Sequence, residues 1–251
     1  MTPQTVREAE NFLYEFQARA PRLNNMEVII CPPFVYLELL SEKSRRKVGT
    51  PTRASGFKIG AQDVFWEDKG SYTGEVSAVM LKNLGVKYVI VGHSERRENL
   101  FETDEVVNKK IKLALKKNLK VIFCVGEKER DADGAYLKFI KKELLEGLNK
   151  VARKDFKNLI ICYEPVWAIS SRKGAQVDTP KDFLEVSIYI RRALFFKFGR
   201  KAAHEIPILY GGSVDGENAR SFLEEGGAQG LLVGRASQKA KTFVDLLKNI
   251  Q

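Results

Sequence analysis

An α/β barrel, in which parallel strands alternate with helices around a closed sheet, is the fold class the sequence predicts, here with seven strands and eight helices. Three observations predict it. Short β-branched apolar runs recur along the whole chain, amphipathic stretches separate them, and reactive polar residues fall at the carboxyl ends of the runs. The chain reads as a single domain over 1–251.

The first element is a helix. T-P-Q-T-V-R-E-A-E-N-F-L-Y-E-F has Pro3 near its start and no strand ahead of it. The strands follow as V-I-I (28–30), F-K-I-G-A (57–61), V-K-Y-V-I-V (86–91), K-V-I-F-C-V (120–125), N-L-I-I-C-Y (158–163), I-P-I-L-Y (206–210) and G-L-L-V (230–233). Such nearly continuous runs suit strands buried on both faces of a parallel sheet. Between them lie helical patterns such as T-D-E-V-V-N-K-K-I-K-L-A-L-K-K-N, opened by a Thr103 or Asp104 cap, and G-E-N-A-R-S-F-L-E-E-G-G, closed by glycine. A doubly wound sheet shares this alternation, but no G-x-G-x-x-G follows the first strand. In a barrel, Gln62, His93, Glu127, Glu164, Ser213 and Arg235 would all face one rim. A closed barrel needs an eighth strand upstream of Thr2, and without it two strands are expected to have unpaired edges.

Composition narrows the function classes. With 44% hydrophobic residues the chain can bury a sizeable core, and no apolar run approaches a membrane span. The opening M-T-P-Q-T-V-R-E-A-E has no apolar secretory stretch, so a cytoplasmic protein is expected. Cys31, Cys124 and Cys162 sit in or at the end of apolar runs without C-x-x-C spacing, which points to buried reduced thiols rather than a disulfide or metal site. No metal and no cofactor is expected. The formal charge of +10 admits nucleic acid, an acidic surface or an anionic small substrate. The lysines of 109–120 and 138–143 alternate with apolar residues at helical spacing and read as solvated helix faces, so nucleic acid is the lesser alternative.

Two side chains carry the chemistry. A lone histidine at a strand end is commonly a hydrogen-bonded structural residue, yet His93 is followed by S-E-R-R, a helix start. A helix amino terminus disfavours the imidazolium, which suits a neutral ring donating to a substrate oxygen. Glu164 ends the apolar I-I-C-Y and precedes Pro165; a rim carboxylate paired with lysine is the plain alternative. Flanking Tyr163, Val166 and Trp167 would desolvate it and suit it to removing a carbon-bound proton. The turns Y-G-G-S-V (210–214) and V-G-R-A-S (233–237) follow the last two strands, where barrels bind phosphate through backbone amides. Ser213 offers a hydroxyl there, and Gly212 and Gly234 allow close backbone approach.

G-A-Q-D-V…G-S-Y-T-G-E, V-G-H-S-E-R-R, C-V-G-E, Y-E-P-V-W-A-I, Y-G-G-S-V and G-L-L-V-G-R-A-S, in this order, closely resemble the triosephosphate isomerase family. The resemblance covers essentially the whole chain. It implies a TIM barrel and an aldose–ketose isomerase of glycolysis and gluconeogenesis that interconverts dihydroxyacetone phosphate and glyceraldehyde 3-phosphate through an enediolate, without metal or organic cofactor. A glutamate base and a neutral histidine electrophile are this family's established assignment, so His93 and Glu164 take those roles by resemblance and not as an independent prediction. By the same matching, Glu95 is the buried carboxylate beside the active site. Ser170, Gly212, Ser213, Gly234 and Arg235 fall at the phosphate, and 165–180 is the lid that excludes water. Thr73 is the tip of the loop that enters a neighbouring subunit in a homodimer.

The sequence departs from the family in three places. Where the lid usually runs A-I-G-T-G-K, Ala168 and Ile169 are followed by Ser170, Ser171, Arg172 and Lys173, with about three extra residues before Pro180. Altered lid kinetics are expected more than lost binding, since Ser170 still presents an amide if its φ is negative. Arg235 stands where a second glycine is common and adds a charge near the phosphate. By resemblance Met1 falls on the methionine of the family's N-W-K-M-N, so the motif's lysine is absent. Either the natural protein is longer or this version lacks a strand. Loss of that cation is expected to cost about 2–4 kcal/mol of transition-state stabilisation, and open edges to favour self-association different from or larger than the family's dimer. Two alternatives stay open beside this isomerase: another sugar-phosphate barrel enzyme, and an inactive phosphate-binding barrel that self-assembles.

Overall fold

Among the described residues six parallel strands form one sheet in chain order, and each lies within two residues of an apolar run in the sequence. They are β1 (Ile29–Ile30), β2 (Lys58–Ala61), β3 (Tyr88–Val91), β4 (Lys120–Val125), β5 (Leu159–Tyr163) and β6 (Ile208–Tyr210). The computed structural model describes residues 3–23, 26–45, 57–131, 133–169 and 177–251. Every pairing is parallel, from Ile29 opposite Lys58 to Tyr163 opposite Tyr210. All strand carboxyl ends therefore share one rim.

The expected seventh strand is reduced to a bridge. Leu231 pairs with Tyr210, the Leu232 N–H donates to the Tyr210 carbonyl at 2.8 Å, and the Tyr210 N–H donates to the Gly230 carbonyl at 3.1 Å. The segment has a partner on one side only, and the backbone leaves the extended region at Gly234 (φ −84, ψ −106). Among the described residues no strand pairs with its other side or with the outer edge of β1, so the sheet curls into an open barrel.

Among the described residues ten α-helices surround it, not eight: α1 (Val6–Arg19), α2 (Phe34–Arg45), α3 (Ala78–Asn83), α4 (Ser94–Asn99), α5 (Asp104–Lys116), α6 (Ala135–Gly147), α7 (Pro180–Phe198), α8 (Arg200–Glu205), α9 (Ala219–Glu224) and α10 (Ala240–Asn249). Two breaks account for the difference. After β3 the helix stops at Phe101, held at φ 55, and restarts as α5, where Thr103 Oγ1 accepts the Val106 N–H at 3.3 Å. Gly199 at φ 89 divides α7 from α8. The first helix starts later than Pro3 suggested, on a Thr5 cap accepting from Glu8 N–H at 3.2 Å. None of the described helices is long and apolar enough to cross a membrane.

The core has two layers because strand side chains alternate between faces. Inside the curl, Tyr88, Ile90, Ile122, Cys124 and Cys162 pack with Ile29, Cys31, Leu209 and Leu232. Outside it, Val89, Val121, Phe123, Ile161 and Tyr163 meet Val107, Ile111, Leu144 and Ile190 of the helices. A separate cluster joins α1 to α10, where Phe16 stacks on Phe243 at 5.7 Å and meets Phe57 edge-on at 5.5 Å, with Val28, Ile30 and Val233 beside them. Residues from both flanks of the sheet thus meet under one helix pair.

Candidate active site

His93 leaves the end of β3 and caps α4. Its Nδ1 accepts the Glu95 N–H at 3.2 Å, so a neutral ring carries its proton on Nε2. That nitrogen lies 3.1 Å from Glu164 Oε1, and the other carboxylate oxygen accepts the Ser94 N–H at 2.9 Å. The Glu164 side chain is only 2% exposed and His93 is 28% exposed, so the imidazole lines the way to a buried carboxylate. The two residues that the sequence singled out are in direct contact.

What fixes Glu164 is the backbone beneath it. Its N–H donates to the Val125 carbonyl at 2.9 Å, and a Cβ added to Gly126 would stand 1.8 Å from the Glu164 carbonyl oxygen. The glycine of C-V-G-E is thus required by close approach of two strand ends. We expect Gly126→Ala to lower kcat on the order of 100-fold or more by displacing the strand end that carries Glu164 by about an ångström, read by steady-state kinetics beside an unchanged KM.

Glu127, a rim residue with no assigned role in the sequence reading, organises the residues on either side of Glu164. Its Oε1 accepts from Tyr163 Oη and from Trp167 Nε1, both at 2.7 Å, and Arg130 Nε approaches it at 3.3 Å. Arg130 also stacks on Trp167 at 4.9 Å and donates to Asp182 Oδ1 at 2.7 Å, tying Trp167 to the first turn of α7. Burial raises the Glu127 carboxyl against these partners. The signal for this cluster was present as two aromatics flanking Glu164, while Glu127, Arg130 and Asp182 lay elsewhere in the chain.

A buried ion network holds α4, and it corrects the reading of 109–120 as a wholly solvated face. Lys110 is 2% exposed; its ammonium donates to both oxygens of Asp63 at 2.8 and 2.7 Å and also to Glu102. Arg96 of α4 reaches Asp63 at 2.8 Å and Glu102 at 2.7 Å. Lys110 falls one helical turn from Val107 and from Ala114, both fully buried, which puts it on the inner stripe of α5.

Glu143 of α6 is a second buried acid; it accepts the Gly126 N–H at 2.9 Å and lies 3.4 Å from Arg97 Nη1. Burial pushes its carboxyl up to about 7 from 4.5. The folded protein then holds a proton that the unfolded chain releases, so this stabilisation is complete below 4.5 and is lost as pH rises through about 7. Asp178, raised by burial to about 6, acts in the same direction over a lower range. We expect Glu143→Gln to remove on the order of 3 kcal/mol of pH-dependent stability between those limits, read as a flatter plot of Tm against pH.

The other predicted site residues fall as follows. Ser213 Oγ donates to the Ala168 carbonyl at 2.7 Å, joining the turn after β6 to the start of the lid, so a phosphate contact by this hydroxyl requires that bond to exchange. Gly212 is buried with Tyr210 Oη 2.3 Å from where a Cβ would stand, whereas Gly234 and Arg235 are exposed on the turn after Leu231. Thr73 is exposed at a turn before α3. Ser170 lies outside the described residues. Glu95, expected as a buried carboxylate, is exposed: it occupies the second position of a short helix that starts at the rim, with no described element packed over it. Cys124 and Cys162 are fully buried as expected, while Cys31 is half-buried; all three are free thiols. Among the described residues one cluster has the donors for a metal ion, namely Cys124, Cys162 and Glu164.

Parallel strands, a desolvated carboxylate at one strand end and an imidazole at another define an α/β-barrel enzyme of the acid–base kind. The family model described as triosephosphate isomerase matches residues 2–250. The triosephosphate isomerase of Alkaliphilus oremlandii (strain OhILAs) is 44% identical over 224 residues, covering 88% of this chain and 86% of the relative. That of Dictyoglomus thermophilum is 39% identical over 247 residues, 98% of this chain and 95% of the relative, and that of Carboxydothermus hydrogenoformans is 40% identical over 242 residues, 96% and 92%. The chain belongs to the triosephosphate isomerase family.

Proposed function

We propose that this chain interconverts dihydroxyacetone phosphate and glyceraldehyde 3-phosphate, with Glu164 as the base and His93 as the electrophile. The observation that carries this reading is the Glu164 carboxylate, buried at a strand end and 3.1 Å from His93 Nε2. A base that moves a proton between adjacent carbons must be desolvated, and its partner must donate to the carbonyl oxygen without leaving as a cation. In the present conformation both Glu164 oxygens are engaged, one by the Ser94 N–H and one by His93. Substrate entering between the two side chains takes the Nε2–H onto its carbonyl oxygen and frees the carboxylate to take a proton from the neighbouring carbon. The enediolate so formed is reprotonated on the other carbon by the same carboxyl group, while His93 Nε2 passes a proton to one oxygen and takes one back from the other, so that hydroxyl and carbonyl exchange places. Ser213, Gly212, Gly234, Arg235 and Ser170 hold the phosphate, and the lid excludes water while the enediolate exists. Glu95, an exposed neighbour of His93, supports the site through the backbone amide that holds His93 Nδ1.

The chain works as one domain over 1–251, in the cytoplasm, as a homo-oligomer in which the exposed Thr73 turn enters the neighbouring copy. Support for the last point is the exposure of that turn. The test is a coupled assay of glyceraldehyde 3-phosphate isomerisation without added metal or cofactor, run beside exchange in D2O. Turnover with deuterium appearing on the substrate carbon is expected. A chain that leaves triose phosphates unchanged but turns over another phosphosugar would overturn the reading.

A further inference from the structure

Strand register places a second cysteine against the catalytic carboxylate. Cys124 of β4 and Cys162 of β5 are direct partners in the parallel ladder, and Glu164 lies two residues beyond Cys162 on the same face. The two sulfurs and a Glu164 oxygen all lie within 4.8 Å of one another. Both cysteines are 0% exposed and Glu164 is 2% exposed. The neighbouring strand makes room for them, since a Cβ at Gly211 would stand 2.5 Å from Cys162 Sγ and 3.1 Å from Glu164 Cγ. Around the sulfurs are Tyr88, Ile90, Ile122 and Leu209, which offer no competing charge.

Two thiolates and a carboxylate are three of the four ligands a tetrahedral d10 cation takes, and sulfur selects the soft members of that class. Ligands held at about 2.0–2.3 Å in a tetrahedron lie about 3.3–3.8 Å apart, so the cluster closes on an ion by about an ångström of side-chain rotation. We propose that Cys124, Cys162 and Glu164 form a binding site for a soft divalent cation, whose occupation takes Glu164 away from the substrate and switches the enzyme off. As each sulfur–metal bond forms, the thiol releases its proton to solvent, and Glu164 gives up its hydrogen bonds to Ser94 N–H and His93. No electron is transferred. The ion enters past His93, the exposed member of the pair, and the sulfurs lie one layer below the rim. The switching half rests on the assignment of Glu164 as the base; the binding half stands on the cluster alone.

The experiment titrates the full chain with Cd2+ and records the ultraviolet sulfur-to-cadmium charge-transfer band, protons released and isomerase activity in the same samples. One ion per chain, two protons released, loss of activity in step with the band and recovery with a chelator are expected. Cys162→Ala, with Cys162→Val as the fuller replacement should alanine loosen the strand, is expected to weaken binding on the order of 100-fold or more, since a lost direct ligand costs at least as much as a lost supporting partner. The band in unchanged strength in both variants would overturn the site, because the ion would then sit elsewhere. The band at full occupancy with activity intact would overturn the switch. A chain that binds Cd2+ as expected but turns over no triose phosphate refutes the catalytic assignment and the switch while supporting the site.

Discussion

Glu164→Gln lowers kcat by about 10²- to 10⁴-fold, the range that a positioned acid–base group supplies, with KM changed little. The amide keeps the shape of the side chain and one oxygen to accept the Ser94 N–H, so the strand end and the cap of α4 remain in place. What it loses is the ability to take a proton from carbon. Its NH2 also opposes His93 Nε2–H, donor against donor, at the contact now 3.1 Å long, which turns the imidazole away from the substrate oxygen. Glu164→Asp separates these causes. It keeps the charge and the accepting oxygens but withdraws the carboxylate by one methylene, so its kcat should fall between the parent and Glu164→Gln. Coupled assays at saturating substrate read both variants, with unchanged Tm as the control for folding. A Glu164→Gln chain within tenfold of the parent would assign the base elsewhere.

The sheet was legible because parallel strands buried on both faces need apolar residues at every position. Such a run has few other readings, and all six strands sit where it occurs. The run at 230–233 carried the same signal, but a ladder is a property of two neighbours, and only Tyr210 stands beside Leu231. Two breaks at positive φ, Phe101 and Gly199, raise the helix count: the starts at S-E-R-R and at Thr103 or Asp104 were both legible, whereas the break at Gly199 was not. His93 and Glu164 were legible because each is the polar residue that ends an apolar strand. Their contact was not, because it depends on how far each strand projects past the rim. The same limit hid the Cys124–Cys162 pair, which no spacing along the chain announces and which the β4–β5 register creates. Lys110 was readable in principle: its position one turn from Val107 and Ala114 is the buried stripe, and the density of lysines around it masked that.

That lysine sets the largest stability effect expected outside the His93–Glu164 pair. Lys110→Met should cost about 3–5 kcal/mol, because it leaves buried carboxylates short of a cation, not because the pair itself is worth that much. Asp63 is 3% exposed and its carboxyl is already raised by burial, with the Lys110 charge opposing that rise. Removing the ammonium leaves Asp63 and Glu102 to Arg96 alone, at 2.8 and 2.7 Å, and Arg96 is the side chain that anchors α4 behind His93. The loss should therefore depend on pH with a definite sign. Protonating the stranded Asp63, whose carboxyl burial already raises, removes the uncompensated charge, so the penalty is greatest near neutral pH and shrinks as pH falls. Neutralising an acid together with the lysine, as in Lys110→Met with Asp63→Asn, should recover part of the stability, a coupling that independent sites would not show. Urea denaturation of the two single variants and the double variant reads the cycle. A loss below about 1 kcal/mol for Lys110→Met, the range of an exposed pair, would mean that water reaches these carboxylates in solution and that the network does not hold α4.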